Sequence, residues 1–214
     1  MTLTLLIAGA LVAFGDWVAV DRRLFRIEYL LKPLTMVLLI LAAISADLGQ
    51  AQPWIVAGLV FGLLGDVGLM LADEDKADTP FLAGLTSFLI GHICYLAGFI
   101  RVGVQTLPIL AGLLIVGGIA GLMLPQVLRG AAADAGRGFA GIVAAYSAVL
   151  GAMAVLAVGT QHIATAVGGV LFLVSDTVIA RGRFVAPITR GPLLVIVTYH
   201  LAQFLIVLGL IESL

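Results

Sequence analysis

Two aspartates and two histidines lie inside strongly apolar stretches of the sequence. They are Asp66, His92, Asp176 and His200. A charged side chain at the centre of a membrane helix costs at least ~2.5–3.5 kcal/mol, so such residues usually face the interior of a helix bundle and have a function. Buried carboxyl and imidazole groups can relay protons, and both residue types are also zinc ligands. The sequence therefore indicates a buried polar site for proton transfer or metal binding.

Glycines near these aspartates indicate which helix face they occupy. Gly58, Gly62 and Asp66 follow one another at intervals of four residues, which places them on one stripe of a helix. Gly169 precedes Asp176 by seven residues and lies on the same helix face as that aspartate. Small residues in such patterns let neighbouring helices approach closely. We therefore expect both aspartates to face protein rather than lipid.

Other polar side chains in the apolar stretches are candidates for the same site. Lys32 and Asp16 are close enough to the expected interface to extend their charges into water instead. Tyr146 and Tyr199 have a simpler interpretation as packing residues of the bundle. The buried aspartates and histidines have a structural interpretation too, in which each is hydrogen-bonded within the core. The predicted supporting residues are Lys32, His92, Tyr95, Tyr146, Ser175, Tyr199, His200 and Gln203.

The composition indicates that membrane helices hold these residues. Hydrophobic residues make up 62% of the 214 positions and charged residues only 11%. A soluble domain is roughly half apolar and about a quarter charged, so lipid is expected to cover the excess apolar surface. The predicted fold is all-α, a single integral membrane domain over residues 1–214 with eight transmembrane helices. They are expected at about 3–20, 30–46, 54–71, 81–100, 104–124, 139–158, 163–180 and 192–211.

The basic residues predict the orientation of these helices. Only Arg101 lies on one side, and the other ten of the eleven basic residues lie in the loops after the odd-numbered spans or at the foot of the second span. Those ten are Arg22, Arg23, Arg26, Lys32, Lys76, Arg129, Arg137, Arg181, Arg183 and Arg190. The positive-inside rule then places both termini outside the cytoplasm. The alternation also supports the count of eight, because a missed span would disrupt it.

Several classes of function and site are disfavoured. A net charge of −1 provides no basic face to follow a phosphate backbone, so no nucleic acid partner is expected. Cys94 is the only cysteine, and we expect it to be a small buried hydrophobic residue. The acidic run at 73–78 is interpreted as a solvated loop, since it lacks the glycine and distal glutamate of a calcium-binding loop. No metal or cofactor is assigned.

Five segments together resemble the YhhN-type lysoplasmalogenase family. They are Lys-Pro-Leu-Thr at 32–35, Leu-Gly-Asp at 64–66, Gly-Leu-Thr-Ser-Phe-Leu-Ile-Gly-His-Ile-Cys-Tyr at 84–95, Leu-Phe-Leu-Val-Ser-Asp at 171–176 and Thr-Tyr-His-Leu-Ala-Gln-Phe-Leu-Ile at 198–206. The resemblance implies a multi-pass protein of the bilayer, in the cell membrane if it is bacterial. Its substrate would be a lysophospholipid, whose vinyl ether bond is hydrolysed to a fatty aldehyde and glycerophosphoethanolamine or glycerophosphocholine.

The implied reaction suits a pair of carboxyl groups. Protonation of the β-carbon of a vinyl ether produces an oxocarbenium ion, which water captures as a hemiacetal that collapses to the aldehyde. Glycosidases meet a similar cation with one protonated and one ionised carboxyl group. The resemblance therefore makes Asp66 and Asp176 the expected catalytic pair. A proton- or ion-coupled transporter and a metal-dependent membrane hydrolase are the alternatives.

Overall fold

A computed structural model of the protein describes the backbone of residues 1–75 and 78–211, and their side chains except those of 73–75, 78 and 79. The described chain is helical and contains no strand, which confirms the all-α prediction for these residues. Lys76 and the acidic side chains of 73–78 lie outside the described part. The seven α-helices are α1 Thr2–Asp21, α2 Phe25–Ser45, α3 Gln52–Asp75, α4 Asp78–Val102, α5 Thr106–Gly159, α6 Ile163–Phe184 and α7 Gly191–Ile211.

All seven helices are long and apolar enough to cross a membrane. The outer face of α1 illustrates the apolar surface that they expose. Leu3, Ile7, Leu11 and Phe14 recur every three or four residues along one side of the helix, and each is more than 50% exposed. A continuous apolar stripe of this kind is suited to contact with lipid. The fold is that expected of an integral, multi-pass membrane protein.

The chain forms two compact units, whose main parts are Met1–Val102 and Gly103–Gly209. The first unit contains α1 to α4, and the second contains α5, α6 and most of α7. The single membrane domain expected over 1–214 stays a prediction.

Consecutive helices of the first unit run antiparallel. The Thr2 hydroxyl donates a hydrogen bond of 3.1 Å to the carbonyl oxygen of Ser45, so the start of α1 lies beside the end of α2. The Tyr29 hydroxyl donates a hydrogen bond of 2.8 Å to the carbonyl oxygen of Met70, so the start of α2 lies near the end of α3. These two bonds fix how residues of the three helices are aligned.

Glycines bring α3 and α4 into close contact. A Cβ atom on Gly68 would lie only 2.7 Å from the Cα atom of Gly84. A Cβ atom on Gly58 would also lie 2.7 Å from the ring of Tyr95. Only glycine permits this approach of the two helices. The expected close packing along the Gly58 face of α3 is therefore confirmed.

The fifth and sixth predicted spans belong to one helical element, so the described chain has seven helices where eight were expected. α5 is interrupted at Ala135 and Gly136, and the φ of +85° at Gly136 is in the region that glycine favours. The break divides α5 into a first arm, residues 106–134, and a second arm, residues 137–159. The boundaries of the predicted spans differ from those of the two arms because an apolar run marks only where lipid can cover a helix. Helical hydrogen bonding continues past the end of that run.

The two arms of α5 fold back on each other. The backbone N–H of Gln105, just before the first arm, donates a hydrogen bond of 2.9 Å to the carbonyl oxygen of Gly159 at the end of the second arm. Further along, a Cβ atom on Gly112 would lie 3.1 Å from the Cα atom of Val155. The two arms are therefore antiparallel and closely packed.

α6 packs against both of its neighbours in the second unit. A Cβ atom on Gly168 would lie 2.8 Å from the carbonyl oxygen of Ala202 in α7. At the other end of α6, the rings of Phe184 and Phe139 make an edge-to-face contact with centroids 5.8 Å apart. The end of α6 therefore lies beside the start of the second arm of α5, next to the break at Gly136.

Candidate functional site

The first unit contains a charged cluster on three helices, which we call the Lys32 cluster. It consists of Asp16 on α1, Glu28 and Lys32 on α2, and Asp66 on α3. The Lys32 ammonium lies 2.7 Å from Oε1 of Glu28, and both side chains are largely buried, with 15% and 17% of their surface exposed. The charges of Asp66, Glu28 and Asp16 all act on this ammonium.

Helix alignment explains why these residues meet. Asp66 lies one turn before Met70, and Lys32 lies about one turn after Tyr29, whose hydroxyl bonds to Met70. The antiparallel α2 and α3 therefore place Asp66 level with Lys32.

Asp16 on α1 lies at the same level. A Cβ atom on Gly15, the residue before Asp16, would lie 3.2 Å from the side chain of Leu31, the residue before Lys32.

Asp16 is the most deeply buried carboxyl group of the cluster. Its side chain is 0% exposed, and neither carboxylate oxygen has a hydrogen-bond partner within the described part of the chain. The interpretation in which Asp16 extends into water is therefore wrong. A buried carboxyl group without a hydrogen bond is costly. Asp16 is thus poorly explained as a stabilising residue.

Glu28 was missed by reasoning from the sequence. It lies just after a polar loop that contains several charged residues, so it did not stand out as a charge in an apolar stretch. A signal was nevertheless present, because a glutamate four residues before a lysine is the favoured order for an ion pair along a helix. Glu28 and Lys32 have that spacing.

His92 and Tyr95 of α4 are both fully buried in the first unit, as the sequence predicted. The Tyr95 ring packs against Gly58 and stacks on Phe99, with ring centroids 6.1 Å apart. These contacts are packing contacts between α3 and α4 and within α4. Cys94 is also buried, in agreement with its interpretation as a small hydrophobic residue.

The second unit contains its own buried carboxyl group. The hydroxyl of Tyr146, on the second arm of α5, donates a hydrogen bond of 2.5 Å to Oδ2 of Asp176 on α6. A hydrogen bond to a carboxylate is shorter and stronger than one between neutral groups. Tyr146 thus holds a polar partner in place and is more than a packing residue of the bundle.

The other predicted polar residues of the second unit lie on α6 and α7. The hydroxyl of Ser175 donates a hydrogen bond of 3.1 Å to the carbonyl oxygen of Val195, which joins α6 to α7. The ring of Tyr199 meets Phe172 edge to face, with centroids 5.4 Å apart. Two more polar side chains of α7, those of His200 and Gln203, are fully buried. Ser175 and Tyr199 thus help to pack α6 on α7.

The predicted site residues therefore fall into two groups, one in each unit. Lys32, Asp66, His92 and Tyr95 lie in the first unit, and Tyr146, Ser175, Asp176, Tyr199, His200 and Gln203 lie in the second. Because Asp66 and Asp176 belong to different units, their pairing stays a prediction. No three His, Cys, Asp or Glu side chains in the described ranges are arranged to hold a metal ion. Chemically, each group offers a buried carboxyl group beside a proton donor, an ammonium in one unit and a phenol in the other.

Comparison with known proteins agrees with the resemblance that the sequence motifs suggest. The model of the YhhN family matches residues 27–210. Lysoplasmalogenase TMEM86A from Bos taurus is 33% identical, over 74% of this chain and 65% of the relative. The human protein of that name is 30% identical with the same coverage. A lysoplasmalogenase from Mycobacterium tuberculosis is 30% identical, over 70% of this chain and 57% of the relative.

These matches cover less than two thirds of the length of the relatives. No solved structure matches the chain at a significant level.

Proposed function

Because the chain belongs to the YhhN family, we propose that it is a membrane hydrolase that cleaves the vinyl ether bond of lysoplasmalogens. The products would be a fatty aldehyde and glycerophosphoethanolamine or glycerophosphocholine. The observation that carries the proposal is the family match over residues 27–210, which includes Asp66 and Asp176. Relatives from mammals and from a mycobacterium carry the name lysoplasmalogenase.

In the proposed mechanism, Asp66 and Asp176 share the proton transfers. One carboxyl group donates its proton to the β-carbon of the vinyl ether, and the α-carbon and ether oxygen become an oxocarbenium ion. The other carboxyl group, ionised, accepts a proton from water as the water oxygen bonds to the α-carbon. The hemiacetal then collapses: the second carboxyl group returns its proton to the glycerol oxygen as that carbon–oxygen bond breaks, and the first, now a carboxylate, accepts the proton of the hemiacetal hydroxyl, which restores both groups. The net change is the addition of one water molecule across the bond.

The neighbours of each aspartate support this assignment. The Tyr146 hydroxyl bonds to Oδ2 of Asp176 and thereby orients that carboxyl group. The charge of Asp66 acts on the ammonium of Lys32, which lies level with it. A carboxyl group that is oriented by a fixed neighbour loses less freedom when it reacts. His92, Tyr95, Ser175, Tyr199, His200 and Gln203 are proposed to line or support the site.

We further propose eight membrane crossings with both termini non-cytoplasmic. The antiparallel arms of α5 support this count, since each arm is longer than the ~20 residues that a crossing needs. In the second unit the basic residues fall near the break at Gly136 or at the adjoining end of α6, namely Arg129, Arg137, Arg181, Arg183 and Arg190. The positive-inside rule makes that end cytoplasmic.

The test is turnover by purified protein in detergent. A lysoplasmalogen and its ester-linked counterpart are incubated separately, and both aldehyde and free fatty acid are measured. We expect aldehyde from the first lipid and no fatty acid from the second, because protonation of an alkene is a different task from attack on a carbonyl group. Detergent removes the sealed membrane that a transporter needs. Absence of aldehyde would therefore contradict the hydrolase proposal.

A further inference from the structure

The Lys32 cluster presents its charges in a fixed order along the first unit. Glu28 lies nearest the loop at 22–24, and Lys32 lies one helical turn deeper on α2. Asp66 is level with Lys32 on α3. From the loop inward, the carboxylate of Glu28 comes first, and the ammonium of Lys32 follows at the same level as the carboxyl group of Asp66, which we have placed in the chemistry.

A lysoplasmalogen with an ethanolamine or choline headgroup has the complementary order. Its cation is outermost, its phosphate follows, and the vinyl ether lies beyond the glycerol carbons. We propose that Glu28 and Lys32 form the headgroup subsite, in which Glu28 contacts the cationic nitrogen and Lys32 contacts the phosphate. This inference rests on the proposed function and assigns to Glu28 the selection of zwitterionic headgroups.

Burial makes a purely structural role for this ion pair a weak explanation. Ion pairs along an exposed helix contribute little to stability, and removing two charges from water carries a cost of its own. Glu28 and Lys32 are nevertheless largely withdrawn from solvent. Burial of Glu28 and Lys32 is explained if each exchanges its partner for a group of the bound headgroup.

Asp16 provides a second observation that supports the headgroup subsite. It is fully buried, its oxygens have no hydrogen-bond partner among the described residues, and its charge acts on Lys32. When a phosphate takes the Glu28 position beside Lys32, Asp16 and Asp66 continue to hold the ammonium. Glu28 is then released to contact the cation of the same headgroup. Asp16 is thus a positioning residue for Lys32.

The experiment measures binding without turnover. The ligands are lysolipids in which a saturated alkyl ether replaces the vinyl ether, with a phosphoethanolamine, phosphocholine or phosphoglycerol headgroup. Affinity for the purified full chain, at a fixed mole fraction of detergent, is read from the shift in thermal stability. The parent should bind both zwitterionic lipids about tenfold tighter than the phosphoglycerol lipid, the size of effect expected from one charge-assisted contact.

Glu28→Gln should remove this preference without weakening affinity for the phosphoglycerol lipid, because its phosphate no longer has to displace a carboxylate from Lys32. The matched control is Asp134→Asn, which deletes the carboxylate of an exposed ion pair, 3.8 Å from Arg183. That control should keep the preference of the parent. Equal affinities of the parent for all three lipids, or an equal loss for all three in Glu28→Gln, would overturn the inference.

Thermal stability without lipid separates binding from folding. In Glu28→Gln the side chain keeps its size, and Asp16 and Asp66 still act on Lys32. We expect this variant to melt near the parent while it loses the headgroup preference; a preserved preference would contradict the subsite. If the parent binds zwitterionic lipids selectively but releases no aldehyde from lysoplasmalogen, the hydrolase proposal fails and the headgroup subsite stands.

Discussion

The hydroxyl of Tyr146 donates a hydrogen bond of 2.5 Å to Oδ2 of Asp176, and this bond joins the second arm of α5 to α6. It gives one of the two buried aspartates of the proposed mechanism a defined orientation. Nothing in the spacing of the two residues, thirty positions apart, indicates the contact. It depends on how α5 folds back and packs against α6.

Tyr146→Phe should lower turnover by about tenfold or more, equivalent to ~1.4 kcal/mol in the activation free energy, because Asp176 loses the donor that orients it. Thermal stability should fall as well, since the Asp176 oxygen is left without this bond. Ser147→Ala is the control, because it deletes a neighbouring hydroxyl that bonds to a backbone carbonyl of its own helix, that of Val143. The control should keep kcat. Unchanged kcat in Tyr146→Phe would show that the bond is structural.

Asp66→Asn and Asp176→Asn should each reduce kcat by about 10²–10⁴-fold, the usual contribution of general acid or base catalysis. Asparagine keeps the shape of the side chain but cannot exchange the proton. The double variant should be little worse than either single variant, since each aspartate alone is nearly inactive. Kinetics and thermal melting should be recorded together. Near-normal turnover in one variant would remove that aspartate from the mechanism, and a parallel loss of stability would favour a structural role.

Reasoning from the sequence located the buried aspartates because their physical signal is strong. A carboxyl group in an apolar stretch is costly in lipid, and glycines on the same stripe indicate a protein-facing side. Both arguments hold for Asp66. Glu28 lacked that signal, since charges near a loop are common. The contact between Tyr146 and Asp176 lay beyond such reasoning, because it depends on how separate helices pack.

Helix boundaries show a second limit of prediction from the sequence. Hydrophobicity reports which residues lipid can cover, and this property ended the predicted fifth span at 124 and began the sixth at 139. It does not report where backbone hydrogen bonding stops. Residues 126–134, which include the polar Gln126, Arg129 and Asp134, continue the helix, and the break occurs only at Ala135 and Gly136. A short interruption of this kind has no apolar pattern to reveal it.

Gly68→Ala should destabilise the first unit by roughly 1–3 kcal/mol, because the added methyl group would meet the backbone of Gly84, which cannot move aside easily. Gly117→Ala is the matched control. It lies inside α5, and beyond its own stretch of that helix no described atom lies within 4 Å of the added methyl group, so the change should be neutral or slightly stabilising. Thermal unfolding in detergent measures both. Equal stability of the two variants would contradict the close packing of α3 on α4.

Residues at the two ends of the second arm of α5 should lie on opposite sides of the membrane. In a Cys94→Ala background, single cysteines placed at Ala135 and at Gln161 should react with a membrane-impermeant thiol reagent from opposite faces. The cysteine at 135 should react from the cytoplasmic face, where the basic residues are expected. Labelling of both cysteines from one face would contradict eight crossings.

The central claim is hydrolysis that begins with protonation of carbon, and the site of deuterium incorporation tests it directly. Purified protein in detergent is given a lysoplasmalogen in D₂O, and the aldehyde is reduced at once to the alcohol for mass spectrometry. The account predicts one deuterium on the carbon next to the former carbonyl carbon, with little product from Asp66→Asn or Asp176→Asn. Absence of aldehyde, or aldehyde that carries no deuterium at that carbon, would contradict it.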